Sequence, residues 1–399
     1  MDPVQNPFAP GAGSRPPQLA GRDPIIEKAS ITLKRIQIGR HAKSQMLLGL
    51  RGVGKTVLLN RIDEIASQAG YLTSVIEAPE GNTLAEMLAP HLRVLLFRIS
   101  GSEKARVLAN RAMSSLRSFA SVFKVSYGDF EAGVADAETA ASGHLETDLS
   151  NLMLNVANAA AAAERPVALL IDEVQYLQPE DLRALIAAMH QVSQRSLPLV
   201  FFGAGLPQLA GLAGDAKSYA ERLFEFPDVG PLDAEASRAA VRDPVKEAGA
   251  DITDEALQQI FAETEGYPYF LQEWGHHSWD VTPTSPITAE DVVAASRRAT
   301  AALDASFFRV RFDRLTPREQ DYLRAMAEKG AGPHRSGDIA AELRIDVTTA
   351  GSLRTGLIRK GMIFSPEHGL TAFTVPMFDA YMRRAIPEWR PQIRAKRRR

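Results

Sequence analysis

Eight consecutive residues, Gly49-Leu50-Arg51-Gly52-Val53-Gly54-Lys55-Thr56, combine glycines, one lysine and one hydroxyl at fixed spacing. Glycine lets the backbone turn tightly enough for successive N–H groups to face a single anion. The apolar Met46-Leu47-Leu48 precedes the segment, and a helix-like stretch opening at Val57-Leu58-Leu59 follows it. The positive end of a helix is therefore aimed at the same anion. A G-x-x-x-x-G-K-[ST] loop between strand and helix predicts a polyphosphate cradle formed by residues 49 to 57. Lys55 is expected to reach the β- and γ-phosphates and the Thr56 hydroxyl to ligate Mg²⁺. The expected ligand is a nucleoside triphosphate, ATP with Mg²⁺.

A second set of reactive groups stands more than a hundred residues later, in Val167-Ala168-Leu169-Leu170-Ile171-Asp172-Glu173. An apolar run ending in two carboxylates reads as a buried strand with both acids at its C-terminal edge, where parallel sheets bind ligands. Asp172 is expected to hold Mg²⁺ through water, and Glu173 to polarise the attacking water as general base.

Such groups need elements to position them. Apolar strands are predicted at 46–48, 71–77, 166–171 and 197–203, with helix-period segments at 25–38, 83–119, 148–163 and 181–194. That alternation predicts an α/β fold with a parallel sheet covered on both faces, and Phe201-Phe202 in the sheet core. Segment 121–143 fits neither period and could hold a short hairpin. Beyond Pro231 the strands stop, and four helices are predicted at 233–250, 253–265, 269–279 and 288–302. His276 and His277 fall on different faces of one of them, which suits packing better than metal binding.

Composition sets outer bounds. The 399 residues, 45% hydrophobic and 24% charged, suffice for two or three domains with buried cores. No run is long and apolar enough for a membrane span, and Met1-Asp2-Pro3-Val4-Gln5 lacks the features of a secretory signal. Absence of cysteine excludes disulfides and thiolate metal sites and fits a cytoplasmic protein. The net charge of −2 conceals an asymmetry: from Arg309 onward, nineteen Lys and Arg face ten Asp and Glu. The final Arg394-Ala395-Lys396-Arg397-Arg398-Arg399 is almost pure positive charge, suited to a polyanion.

In their order, these motifs resemble an AAA+ ATPase, similar to the origin-recognition-like and archaeal-type ATPases and their STAND relatives. The resemblance runs from Gly21-Arg22-Asp23 to about residue 300. It implies that Gly21 and Arg22 lie near the adenine, and that Gly266-Tyr267-Pro268 is a lid turn whose Pro268 packs on the same ring. It also implies that Arg222, ahead of the apolar stretch 223–229, reaches the γ-phosphate of a neighbouring subunit; a surface pairing with Glu221 or Glu225 is the alternative. Two departures bear on turnover. Such enzymes usually place a polar residue, often Asn, at the end of the strand after the Asp-Glu pair, and Leu199-Val200-Phe201-Phe202-Gly203-Ala204-Gly205 supplies none. No sensor arginine adjoins Gly266 either, and Arg297 and Arg298 are remote. Slow hydrolysis and a switch-like role are expected.

Thr316-Pro317-Arg318-Glu319 opens a helix as a capping box with proline at its first position. Helices at 336–343 and 346–358 and strands at 360–364 and 369–375 then give the order of a winged helix. In such domains the second helix of the pair enters the major groove. Thr348, Thr349, Ser352, Arg354 and Thr355 could reach bases or phosphates, and Arg335, Arg359 and Lys360 the DNA backbone. Winged helices also dock proteins, and Glu367 and His368 at the wing tip are poor phosphate ligands.

The expected organisation is an extended Pro/Gly-rich arm (1–20), a P-loop nucleotide-binding domain (21–231), a helical lid (232–305), a winged helix (306–385) and a basic tail (386–399). ATP and Mg²⁺ are expected between the α/β domain and the lid. The expected function is an ATPase acting as a nucleotide-dependent switch coupled to double-stranded DNA, alone or as a homo-oligomer. A signalling or defence scaffold that holds ATP and docks a protein partner is the alternative, as is a transposition helper ATPase. No membrane partner is expected.

Overall fold

A computed structural model of the chain describes residues 1–11, 16–17, 19–78, 81–99, 101–125 and 141–391. These residues form two compact units: Arg22–Gly49 with Gly54–Val229, and Met1–Gly21 with Leu50–Val53 and Gly230–Arg399.

The first unit is built on five strands, β1 (Ser44–Leu48), β2 (Leu72–Glu77), β3 (Val167–Asp172), β4 (Leu199–Gly205) and β5 (Phe224–Glu225). Their spatial order is β2-β3-β4-β1-β5, and every pairing is parallel. The central strands β1, β3 and β4 are buried along their whole length. Helices on both faces of a parallel sheet require this, so these strands read as unbroken apolar runs. The edge strand β2 alternates instead, with Val75 and Glu77 exposed. Chain and spatial order diverge at β1, whose following crossover carries the chain past β4 and β3 to the far edge. The loop after β1 and the end of β3 therefore share the C-terminal edge of the sheet, where open α/β folds bind ligands.

Helices of this unit are α1 (Asp23–Gln37), α2 (Lys55–Gln68), α3 (Leu84–Arg98), α4 (Glu103–Val122), α5 (Leu145–Ala162), α6 (Pro179–Gln194), α7 (Leu209–Ala216) and α8 (Ala220–Leu223). Fully buried Ala157, Ala159 and Ala160 lie on α5, which packs against both α4 and α6; small side chains permit that close approach. The single helix predicted over 83–119 is two. α3 ends with Ile99 in extended conformation, and Ser102 begins α4 by accepting from the Ala105 N–H at 3.2 Å. Most of segment 121–143 lies outside the described residues.

In the second unit, four helices match the predicted all-α stretch: α9 (Ala234–Glu247), α10 (Asp254–Thr264), α11 (Pro268–Val281) and α12 (Ala289–Leu303). A π-helical turn, Asp304–Phe308, extends α12 into α13 (Arg309–Phe312). The N-terminal arm contains one 3₁₀ turn, Pro3–Gln5, and is anchored on α11. Phe8 is 3% exposed, and the Asn6 amide donates to the His276 carbonyl at 3.1 Å and to Asp280 at 2.8 Å. His277 instead faces Glu273 across one turn of α11, at 3.7 Å.

The C-terminal part has the order α14 (Pro317–Glu328), β6 (His334–Arg335), α15 (Ser336–Leu343), α16 (Val347–Arg359), β7 (Ile363–Phe364), β8 (Leu370–Phe373) and α17 (Phe378–Ala385). Its strands form an antiparallel sheet, β6-β8-β7. Thr316 and Glu319 close the capping box at the start of α14. Among the described residues no helix is long and apolar enough to cross a membrane.

Candidate functional site

Gly52 and Gly54 adopt left-handed conformations, φ 86° and 93°, which a side chain would disfavour and which turn the loop after β1 into the first turn of α2. Lys55, the first residue of α2, is 6% exposed. Its ammonium donates to the Gly49 carbonyl at 3.0 Å, an oxygen acceptor of the kind a phosphate presents. Gly49 is itself held to the sheet, its N–H donating to the Gly205 carbonyl at 3.1 Å.

Asp172 ends β3 and is 6% exposed. Its carboxylate accepts from the Thr56 hydroxyl at 2.5 Å and from the Glu173 N–H at 2.7 Å. Burial pushes the Asp172 carboxyl above its ordinary range; these two bonds and the Lys55 charge pull it down, while the Glu173 charge adds to the rise. Two hard oxygen donors, 116 residues apart in sequence, thus meet beside a buried lysine. The pair fits Mg²⁺, which retains waters and phosphate oxygens rather than demanding an all-protein cage. Among the described residues no cluster of three or more His, Cys, Asp or Glu offers such a cage.

Glu173 occupies a left-handed conformation, φ 54° and ψ 37°, uncommon outside glycine and costing of order 1 kcal/mol. It opens a 3₁₀ turn, Val174–Tyr176, in which Val174 is fully buried. The Glu173 carboxylate accepts from the Gln175 side-chain amide. Gln175 is a residue that the sequence reading missed; a carboxamide two positions after the acid pair was the available signal.

Arg22 is 7% exposed; burial lowers its basicity and Asp228 opposes that effect. Gly21 has φ 67°, and an added Cβ would lie 2.7 Å from Ala236. At the Gly266-Tyr267-Pro268 turn, the Leu232 N–H donates to the Gly266 carbonyl at 2.8 Å, and Pro268 begins α11. In the same unit the Tyr267 hydroxyl donates to the Arg51 carbonyl, the Tyr269 N–H to the Gly52 carbonyl at 3.2 Å, and the Arg51 N–H to the Thr374 carbonyl at 3.3 Å. Burial pushes the Tyr269 phenol up to about 12.

Arg222 is exposed on α8, just before β5. β5 runs parallel to β1 with Phe224 opposite Ser44, so Arg222 stands at the N-terminal edge of the sheet. At ~3.3 Å per strand residue, β1 alone sets Arg222 roughly 16 Å or more from the phosphate loop of its own chain. A role in cis is thereby excluded. Glu225, one of the alternative partners for Arg222, binds Lys28 at 2.9 Å. Arg222 lines a cleft of about 300 Å³ with His41, His190 and Tyr219.

On α16, exposed Thr348, Ser352, Thr355 and Arg359 recur at helical spacing and share one face. Three other candidates for contacting nucleic acid, Arg354, Lys360 and Thr349, are internally committed. Arg354 donates to Thr371 at 2.8 Å, to the Leu370 carbonyl at 3.1 Å and to Ser365. Lys360 bridges to Glu319 at 2.7 Å, and the Thr349 hydroxyl donates at 2.7 Å to Asp346, whose carboxylate caps α16 by accepting from the Thr349 N–H. The tail 394–399 lies outside the described residues.

Residues 18–202 match the family model of an AAA ATPase domain, and residues 305–382 a domain of unknown function. No curated protein matches the chain. The Walker-type ATPase PABY2304 of Pyrococcus abyssi is structurally similar, with TM-score 0.55 and 19% identity over 92% of this chain and 96% of that one. The Aeropyrum pernix Orc1 protein, solved with DNA, aligns with TM-score 0.47 and 15% identity over 95% and 96%. Thermotoga maritima RuvB, a Holliday junction branch migration motor, aligns with TM-score 0.44 and 16% identity over 90% and 96%. The chain thus has a P-loop NTPase fold and carries an AAA ATPase-like domain.

Proposed function

We propose that this chain is an ATP-binding molecular switch that hydrolyses ATP slowly and couples its nucleotide state to double-stranded DNA through its C-terminal part. The observation that carries the reading is the hydroxyl–carboxylate pair, Thr56 and Asp172, at 2.5 Å beside buried Lys55. Lys55 and the loop N–H groups bind the phosphate chain, and Arg22 borders the base. Thr56 and Asp172 hold Mg²⁺, which when bound neutralises developing phosphate charge. Glu173 orients water and accepts its proton. Arg222, excluded in cis, serves the site of a second copy, so the active form is a homo-oligomer.

The exposed face Thr348, Ser352, Thr355 and Arg359, within the segment from Arg309 onward that carries excess positive charge, supports reading the C-terminal domain as a winged helix that contacts DNA. One observation favours a second reading, a scaffold that retains ATP and docks a protein: Arg354 and Lys360 are spent on internal bonds. Phosphate contacts make DNA affinity fall steeply with salt, whereas the scaffold would show no DNA binding.

Lys55→Ala should abolish ATP binding in an equilibrium titration, and Glu173→Gln should retain binding while losing turnover. Micromolar ATP affinity in Lys55→Ala would contradict the phosphate-loop assignment. Undiminished turnover in Glu173→Gln would remove that residue from its role.

A further inference from the structure

We infer that Gln175 is a positioning residue for Glu173, clamping the general base to the end of β4; the inference rests on the role proposed for Glu173. Three observations converge. The Gln175 side-chain oxygen accepts from the Leu206 N–H at 3.1 Å, and its amide nitrogen donates to the Glu173 carboxylate. Leu206 lies one residue beyond β4, past the last β3–β4 partner pair, Ile171 with Gly203, so its N–H has no ladder partner there. Gly205 makes room for the clamp: a Cβ there would stand 2.6 Å from the Gln175 side-chain oxygen.

Hydrogen-bond chemistry fixes the orientation of the carboxamide. A backbone N–H can only donate, so the Gln175 oxygen must face Leu206. The NH₂ group is then left toward Glu173, where an ionised carboxylate can only accept. Each end of the amide thus has a single chemically allowed partner, and together they tie the acid to the sheet. The end of β4 carries no polar side chain, and Gln175 places a neutral amide where one would lie. One Glu173 oxygen is held while the other remains for water. The left-handed turn at Glu173 brings the two side chains together, and the buried Val174 pins that turn.

Gln175→Met conserves volume but neither bond. Gln175→Glu keeps an acceptor for Leu206 but puts a like charge on Glu173. In the full-length chain, both should lower kcat by about 10- to 100-fold, the loss that a misplacement of roughly 1 Å produces. The Kd for ATP should stay within about twofold, because neither substitution touches the phosphate loop. Gly205→Ala, whose Cβ would crowd both the Gln175 oxygen and Leu209, should also lower kcat. In a Glu173→Gln background, Gln175→Met should cost nothing further. Thermal melts identify any variant that fails to fold, and the other two then decide. If wild type turns over ATP and Glu173→Gln does not, while Gln175→Met matches wild type, the clamp is overturned and the base assignment stands. If Glu173→Gln turns over normally, the base assignment fails, and the clamp with it.

Discussion

Gly275→Ala should destabilise the chain while Phe8 is present and stabilise it once Phe8 is replaced by alanine. Gly275 is a buried position on α11, and an added Cβ would sit 2.8 Å from two Phe8 ring carbons and 2.9 Å from a third. Real Cβ atoms do not approach a ring so closely, so either the arm or the helix must shift. Against that stands the ordinary gain from removing a helical glycine, roughly 0.5–1 kcal/mol. Overpacking costs about 1–3 kcal/mol, so steric loss should outweigh propensity with Phe8 in place. Phe8→Ala alone should lose up to ~3–5 kcal/mol of packing, capped by the docking energy of the arm, which can release instead. The assay is a double-mutant cycle read by thermal unfolding, where each kcal/mol moves Tm by ~2–4 °C in a unit of this size. Limited proteolysis of the arm gives an independent reading. The same sign for Gly275→Ala in both backgrounds would refute the packing argument.

Acid should weaken the C-terminal domain through Glu319. Burial pulls its carboxyl up, but bonds from Lys360 and Thr316 outweigh burial and hold it below the usual range. A depressed carboxylate contributes stability above its unfolded value and loses it as pH falls through the folded one, so the loss begins near about pH 4.3 and continues below it. Glu319→Gln should flatten that dependence in denaturant melts; an identical acid slope would contradict it. Arg359→Ala should lower double-stranded DNA affinity and reduce the salt slope by about one, with stability unchanged. Arg354→Ala should instead destabilise the hairpin by about 1–3 kcal/mol, through the acceptors it abandons. Equal stability and equal DNA loss in the two variants would erase that distinction.

Local chemistry decides which of these features a sequence reveals. β3 and β4 were legible because both sheet faces are covered, which forces unbroken apolar runs, and α14 because Thr316 and Glu319 stand three residues apart. The break between α3 and α4 was hidden by apolar periodicity running through Leu95, Leu96 and Ile99, although Gly101-Ser102 is a stop and cap in hindsight. β6 has two residues, too short for any period to register. Non-local partners were the harder loss. The bond between Gln175 and Leu206 spans 31 residues and exists only because β3 and β4 pair. Arg354 reads as an exposed cation until Thr371 and Leu370 return across the sheet to take its donors. The arm looked merely extended because proline and glycine encode no contact, and its anchors on α11 include the single residues Asn6 and Phe8.

Central to the account is a shared, DNA-coupled ATPase site, and the most direct measurement is ATP turnover per subunit across protein concentration, with and without double-stranded DNA. A switch that uses Arg222 in a second copy predicts a rate that climbs with concentration and climbs again with DNA. Flat, near-zero turnover alongside tight ATP binding would contradict it and favour the scaffold that retains its nucleotide.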